Sequence, residues 1–434
     1  MITARDIAIR APAGAGVAPR FATAALANAD LRERLLLIVL YVTVLASSVA
    51  FIEPSPHDFL MGALAVACVI AGVRFDRHVA LLFLLLLAWN VGGLLSLLNV
   101  PGHEKTAQYA ATSVYLSLAA VLFAAMLAEH TMPRLVTLRS AYVLTATTVS
   151  IVGICGYFNA FPHAEEWFAP GNRALGAFKD PNVFGPFLIW PALIVLERMI
   201  VRRIRMLDIL VLGILLLGVF LSFSRGAWFH LVVSAIVVIA LAFLAAPTLK
   251  VRMRIFALTA TTLAVLAALL ALALSFSSIA GMFQERFHLI NYYDVGQGGR
   301  FRLQELALTA LLQFPNGMGP FEFSNVYGLQ QHNVYLQAFL VYGWIGGMSY
   351  LLVLAATIAV ALRTVLAPTP WQPYLIVAFG TFVGEVLEGF VIDTDHWRHF
   401  FLLLGMIWGL AAATIHEVRR QRASLSGPVH VRVF

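Results

Sequence analysis

Three residues of this chain, Arg225, Arg300 and His332, are of types that can hold a charged leaving group or move a proton. Each sits where polar loop meets apolar run. Arg225 lies in SFSRGAW, within a connection of only a few residues between two apolar stretches. A charge this close to hydrocarbon is costly without a partner, which makes Arg225 a functional candidate. The alternative is an interfacial arginine that snorkels to headgroups. Arg300 closes the glycine-rich GQGGR. Glycines admit close backbone approach, and a guanidinium at such a point suits a phosphate, which it can grip at two oxygens; otherwise it is a surface arginine beside a flexible loop. His332, in LQQHNVYLQ with Asn333 behind it, is placed to act as a general base near neutral pH. The alternative is an interfacial histidine bonded to a backbone carbonyl. One imidazole with no His or carboxylate at ligand spacing argues against a metal site here, and no metal is expected.

Weaker candidates surround these. Lys179, Asp180 and Asn182 in KDPN head an apolar run, where Asp180 reads first as a helix N-cap. Arg302 follows Arg300 on the same amphipathic stretch. Glu385 and Glu388 share one face of an apolar run. A carboxylate at membrane depth faces protein or water, so these two are expected to pair with buried arginines or to bind a proton or an acceptor. Asp393, Asp395, His396, Trp397 and Arg398 form a dense polar and aromatic cluster. Trp397 there is either an interfacial anchor or a sugar-stacking surface. Asn333, Arg302, Lys179, Asp180, Asn182, Glu385, Glu388, Trp397 and Arg398 are the candidate substrate contacts.

The elements that position these residues follow from composition. Of 434 residues 61% are apolar and 12% charged, and mean hydropathy is +0.86. A soluble domain is about half apolar and about a quarter charged. The chain therefore reads as an all-α polytopic membrane protein. Its apolar runs fall at 35–52, 58–73, 79–100, 107–128, 134–158, 181–199, 206–222, 226–246, 255–279, 332–361, 371–392 and 399–416, about 12 transmembrane helices. Cys68 and Cys155 both lie in apolar stretches, with no spacing for a disulfide framework or a zinc site. The first 30 residues lack an apolar core followed by a cleavage site and read as a tail, not a signal peptide.

Orientation follows from where the 29 Lys and Arg residues sit, because positive loops stay in the cytoplasm. With the N-terminus inside, 21 fall inside and 8 outside. This gives a cytoplasmic tail at 1–34, a transmembrane catalytic domain at 35–416 and a cytoplasmic tail at 417–434. Both termini are then cytoplasmic, and Arg225, Arg300 and His332 face the other side. The longest outside segment, 280–331, is a candidate functional loop. Within it 300–313 (RFRLQELALTALLQ) has helical apolar spacing and is expected along the membrane interface, followed by a turn at PNGMGP.

Taken together these stretches resemble the O-antigen ligase and polysaccharide polymerase (Wzy-type) superfamily. SFSRGAW at 222–228 is similar to its Ser-Arg-Gly motif. GGRFRLQELALTALLQFPNGMGP resembles its Gly-Arg, amphipathic helix and Pro/Gly turn. HNVYLQAFLVYGWIGG at 332–347 resembles its His-Asn motif and Gly-rich helix, and KDPNVFG at 179–185 its Asp-Pro-Asn helix start. The resemblance covers roughly 150–410; the N-terminal third matches only in hydropathy. It implies a metal-independent, cofactor-free GT-C-like glycosyltransferase of the bacterial inner membrane. Such an enzyme takes a glycan from undecaprenyl diphosphate on the periplasmic face and passes it to lipid A-core or to a growing glycan. By motif, Arg225 and Arg300 would hold the donor diphosphate and His332 would activate the acceptor hydroxyl. Its partners would be those two substrates and membrane lipids, with no nucleic acid.

Within the superfamily the single dominant outside loop looks ligase-like. Arg173, Arg286, Arg300 and Arg302 all lack the Arg, ten residues, Gly repeat common in polymerases. A polymerase remains the alternative within the class. A transporter or flippase using Arg225, Glu385 and Glu388 is the alternative outside it. Against that second alternative stands the absence of inverted repeats and interrupted helices in corresponding positions.

Overall fold

The computed structural model describes residues 30–100, 104–201, 204–287 and 299–425. Most of the tail at 1–34, the GQG of GQGGR and the end of the tail at 417–434 lie outside the described residues. The described elements are helices, with no strand among them. In chain order the helices are α1 Leu31–Leu45, α2 Pro56–Ile70, α3 Ala80–Ser96, α4 Glu104–Ala128, α5 Thr131–Tyr157, α6 Ala164–Phe168, α7 Pro181–Phe187, α8 Ile189–Val201 and α9 Met206–Leu221. They continue with α10 Arg225–Ala245, α11 Leu249–Ala273, α12 Ser277–Phe287, α13 Arg300–Gln313, α14 Glu322–Tyr327, α15 Val334–Thr364, α16 Gln372–Glu388 and α17 Arg398–Leu425. Among the described residues eight helices are long and apolar enough to cross a membrane, and Pro56–Ile70 and Met206–Leu221 are shorter apolar helices.

Two details differ from the sequence expectation. The run read at 255–279 is helical from Leu249, because the Thr248 hydroxyl accepts the Val251 amide at 3.3 Å and caps it. The helix then carries Lys250, Arg252 and Arg254 in its first turns, where long basic side chains can reach water. The segment 280–331 also holds more helix than expected, since α12, α13 and α14 account for much of its described part.

Between helices in lipid there is little hydrophobic driving force, so close backbone approach and small residues decide which helices pair. Gly405 and Gly409 on α17 face the backbone of Ala120 and Ala124 on α4; a Cβ there would stand 2.5 and 2.6 Å from those carbonyl oxygens. Gly380 and Gly384 do the same for α16 against Ser234 and His230 on α10. Gly92 on α3 lies against Gly346 on α15. These three pairs, α4–α17, α10–α16 and α3–α15, form the most extensive helix contacts.

α15 is broken within its span. Gly343 has φ 66° and ψ −174°, a conformation open essentially to glycine alone. The break frees backbone groups that lipid could not satisfy. The turn at 315–319 takes them up: the Trp344 amide donates to the Pro315 carbonyl at 2.8 Å, and the Met318 amide donates to the Leu340 carbonyl at 2.6 Å. The Pro/Gly turn is thereby docked into the helix that begins one residue after the His-Asn pair. α13 packs on the same helix through Leu303, Ala307 and Ala310, while Phe301, Leu308 and Leu312 remain exposed.

Candidate active site

Arg225 is placed by a tight turn. α9 ends at Leu221, Phe223 takes a left-handed φ of 46°, and Ser224 caps α10 by accepting the Ala227 amide at 3.3 Å. Arg225 is then the first residue of the helix, half-buried, beside Gly226. That glycine packs closely against α16: a Cβ would stand 2.6 Å from Oε1 of Glu388, the last residue of that helix. The start of α10 and the end of α16 therefore touch.

The His-Asn pair reaches the same place. Asn333 caps α15 by accepting the Tyr335 and Leu336 amides at 3.0 and 3.2 Å. Its own amide donates to the Phe390 carbonyl at 3.2 Å, and the Val334 amide donates to the Gly389 carbonyl at 2.9 Å. Gln304, one turn after Arg300 on α13, donates to that Phe390 carbonyl at 3.4 Å. The beginnings of α10, α13 and α15, which carry Arg225, Arg300 and His332, thus converge on residues 388–390.

His332 itself has a left-handed φ of 48°, uncommon for a residue with a side chain. Its Nδ1 lies 3.6 Å from Oδ2 of Asp393; the imidazole is 47% exposed and the carboxylate 20%. That is ion-pair distance, slightly long for a hydrogen bond. Burial raises the Asp393 carboxyl above its ordinary value, partly offset by His332. A carboxylate on Nδ1 favours the tautomer that leaves Nε2 free to accept a proton. Asp393 belonged to the polar cluster in the sequence but carried no role there; only the fold sets it beside His332.

Behind this pair stands a buried polar chain. Gln331, fully buried, donates to Gln337 at 2.6 Å; Gln337 donates to the Tyr109 hydroxyl at 3.2 Å; Tyr109 donates to Asp395 at 2.6 Å. Asp395 also accepts from Tyr342 at 3.3 Å and contacts His396 at 3.2 Å. Burial pushes the Asp395 carboxyl up, but His396 and the two tyrosines outweigh it and hold it below the usual range. The chain ties the residue before His332 to the turn that carries Asp393.

The remaining candidates are placed differently. Glu385 and Glu388 are both buried, and each meets a histidine. Glu388 bonds His230 of α10 at 2.8 Å, and Oε1 of Glu385 lies 3.3 Å from Nε2 of His399. His230, a lone histidine within AWFHLVV, was missed in the sequence because nothing local marks its partner. Trp397 is buried, which removes it as an open stacking surface. Arg398 grips Asp58 with two bonds of 2.9 and 2.8 Å, joining α17 to α2. Lys179 pairs with Glu53 at 2.9 Å. Asp180 caps α7 through the Asn182 amide at 2.8 Å, and Asn182 accepts from Arg173 at 2.9 Å. Arg302 pairs with Glu305 at 2.6 Å on the exposed side of α13.

No curated protein matches the chain. Residues 210–351, the segment that contains Arg225, Arg300 and His332, match the family model described as O-antigen ligase, so the superfamily read from the motifs is shown over that segment.

Proposed function

We propose that this protein is a membrane glycosyltransferase that moves a glycan from undecaprenyl diphosphate to a lipid A-core acceptor on the periplasmic face of the inner membrane. The observation that carries the reading is that three motif-bearing helix starts, all within the segment 210–351 that matches O-antigen ligase, converge on residues 388–390. In this reading Arg225 and Arg300 hold the diphosphate. The acceptor hydroxyl gives its proton to Nε2 of His332 as its oxygen bonds C1 of the donor sugar. The C1–O bond to the diphosphate breaks on the opposite side, with inversion, and undecaprenyl diphosphate leaves. Negative charge grows on the leaving group, where two fixed guanidiniums stabilise it without a metal. Asp393 positions His332 and stabilises the imidazolium that forms.

A polysaccharide polymerase is the second reading, favoured by the superfamily's shared motifs. A deletion strain separates the two when its lipopolysaccharide is run on a gel. Lipid A-core without O-chain supports the ligase, and a single capped repeat supports the polymerase. Unchanged lipopolysaccharide together with lost exopolysaccharide overturns the ligase. Purified protein that moves lipid across vesicles while consuming no donor would establish a transporter instead.

A further inference from the structure

Far from the region of His332, the fold assembles three metal-ligating side chains that the sequence keeps apart. Asp76 and His78 lie in the turn after α2, and His416 lies on α17. His78 Nδ1 stands 2.7 Å from Oδ1 of Asp76, and His416 Nε2 stands 2.5 Å from Oδ2. The three ligand atoms all lie within 4.8 Å of one another. The two imidazoles meet edge to face, 5.2 Å between centroids, and each turns one nitrogen to a different oxygen of the same carboxylate.

We propose that Asp76, His78 and His416 form a binding site for a divalent transition-metal ion of the zinc type. Two imidazole nitrogens and one carboxylate oxygen are the donor set such ions take in three-ligand sites, with water completing the tetrahedron. Ligand bonds of about 2.0–2.2 Å place tetrahedral donors roughly 3.3 Å apart, a small opening from the present nitrogen-to-oxygen distances. Asp76 is held for the purpose, since its Oδ1 also accepts the His78 amide at 2.7 Å. The side chains are 13–38% exposed, so an ion can enter from water. On coordination each neutral imidazole carries its proton on the far nitrogen; an imidazolium gives its extra proton to solvent.

The position says what the ion would do. Arg398 and His416 lie 18 residues apart on α17, about 27 Å along the helix. Arg398 ties the first turn of α17 to Asp58 at the start of α2. His416 ties its far part to Asp76 just after the end of α2. A metal at the second tie would fasten the two helices at the end opposite His332, as a structural clamp outside the chemistry.

The test uses full-length, untagged protein in detergent, stripped with chelator and titrated with Zn²⁺. The expected result is one ion per chain by elemental analysis and a rise in thermal midpoint. His78→Ala and His416→Ala should each weaken uptake by about ten-fold or more. Wild-type protein that binds no zinc overturns the proposal, as does uptake unchanged in both variants. Should the variants fail to fold, Co²⁺ added to the wild type decides: an intense tetrahedral visible band supports the site, and the pale spectrum of six-coordinate cobalt, or none, contradicts it.

Discussion

Gln304 and Asn333 donate to the same acceptor, the Phe390 carbonyl, at 3.4 and 3.2 Å. One follows Arg300 by a turn and the other follows His332 directly. A single backbone oxygen therefore couples the helix that carries a candidate phosphate-binding arginine to the residue beside the candidate base. The turn just after α16 supplies that oxygen, and Glu388, the last residue of the helix, packs against Gly226. The position of this helix end fixes the starts of three other helices at once, which is why the catalytic candidates can be widely spaced in the chain.

His332→Ala should lower transfer by about 10²–10⁴-fold, the usual contribution of a general base, with the protein still inserted and folded. Asp393→Asn should cost less, because the base remains and only the charge that orients it and stabilises its protonated form is lost. The Asp393 carboxyl is raised by burial, so it takes up a proton at a higher pH than an ordinary aspartate, about 3.9. As pH falls through that range the negative charge beside His332 disappears and transfer declines. The asparagine variant has no such step. Initial rates against pH for both proteins check this.

Arg225→Ala and Arg300→Ala should each reduce kcat by about 10²–10³-fold, the scale for losing one donor to a developing negative charge. Lysine at either position restores the charge but not the two-pronged grip, and should recover only part of the rate. Transfer should persist in excess EDTA, although removal of an ion bound at Asp76, His78 and His416 would lower the thermal midpoint. EDTA inhibition reversed by Mg²⁺ would instead place a metal at the diphosphate.

Arg398 is committed to Asp58 by two short bonds, with side chains 22% and 17% exposed. Arg398→Ala should destabilise the protein by about 1–3 kcal/mol, between the values for exposed and buried pairs. Asp58→Asn should have a similar effect, and the double variant should cost less than the sum. Thermal unfolding of the three variants measures the coupling. If activity falls in Arg398→Ala alone while stability is unchanged, the arginine contacts substrate.

Gly343→Ala should destabilise by about 1–3 kcal/mol. The backbone at φ 66° and ψ −174° excludes a side chain, and a Cβ would stand 2.7 Å from the Asn316 carbonyl carbon. Loss of the kink would also release the 315–319 turn. Limited proteolysis near that turn, compared between wild type and variant, reports it.

What was legible in the sequence was local. The amphipathic helix was read at 300–313 and lies at Arg300–Gln313, because Gly299 opens it and the Pro-Asn-Gly turn closes it. Asp180 was read as a cap and is one. The apolar runs all coincide largely with helices, since composition alone decides solvation by lipid. The pairings across the chain were not legible. Nothing near Glu388 announces His230, nothing near Arg398 announces Asp58, and nothing near His332 announces Asp393. Gly405 with Gly409 and Gly380 with Gly384 do carry the close-packing spacing, but which helix they face depends on the whole bundle. The break at Gly343 was hidden for the same reason: it is stable only because the 315–319 turn satisfies it.

The most direct test of the account is transfer by purified protein in lipid nanodiscs, with undecaprenyl-diphosphate glycan as donor and lipid A-core as acceptor. Products are followed by mass spectrometry for wild type and His332→Ala. The account predicts glycosylated lipid A-core and released undecaprenyl diphosphate from the wild type, and about 10²–10⁴-fold less of both from a His332→Ala protein that still binds donor. Equal product from both proteins, or no donor consumed by the wild type, would contradict it.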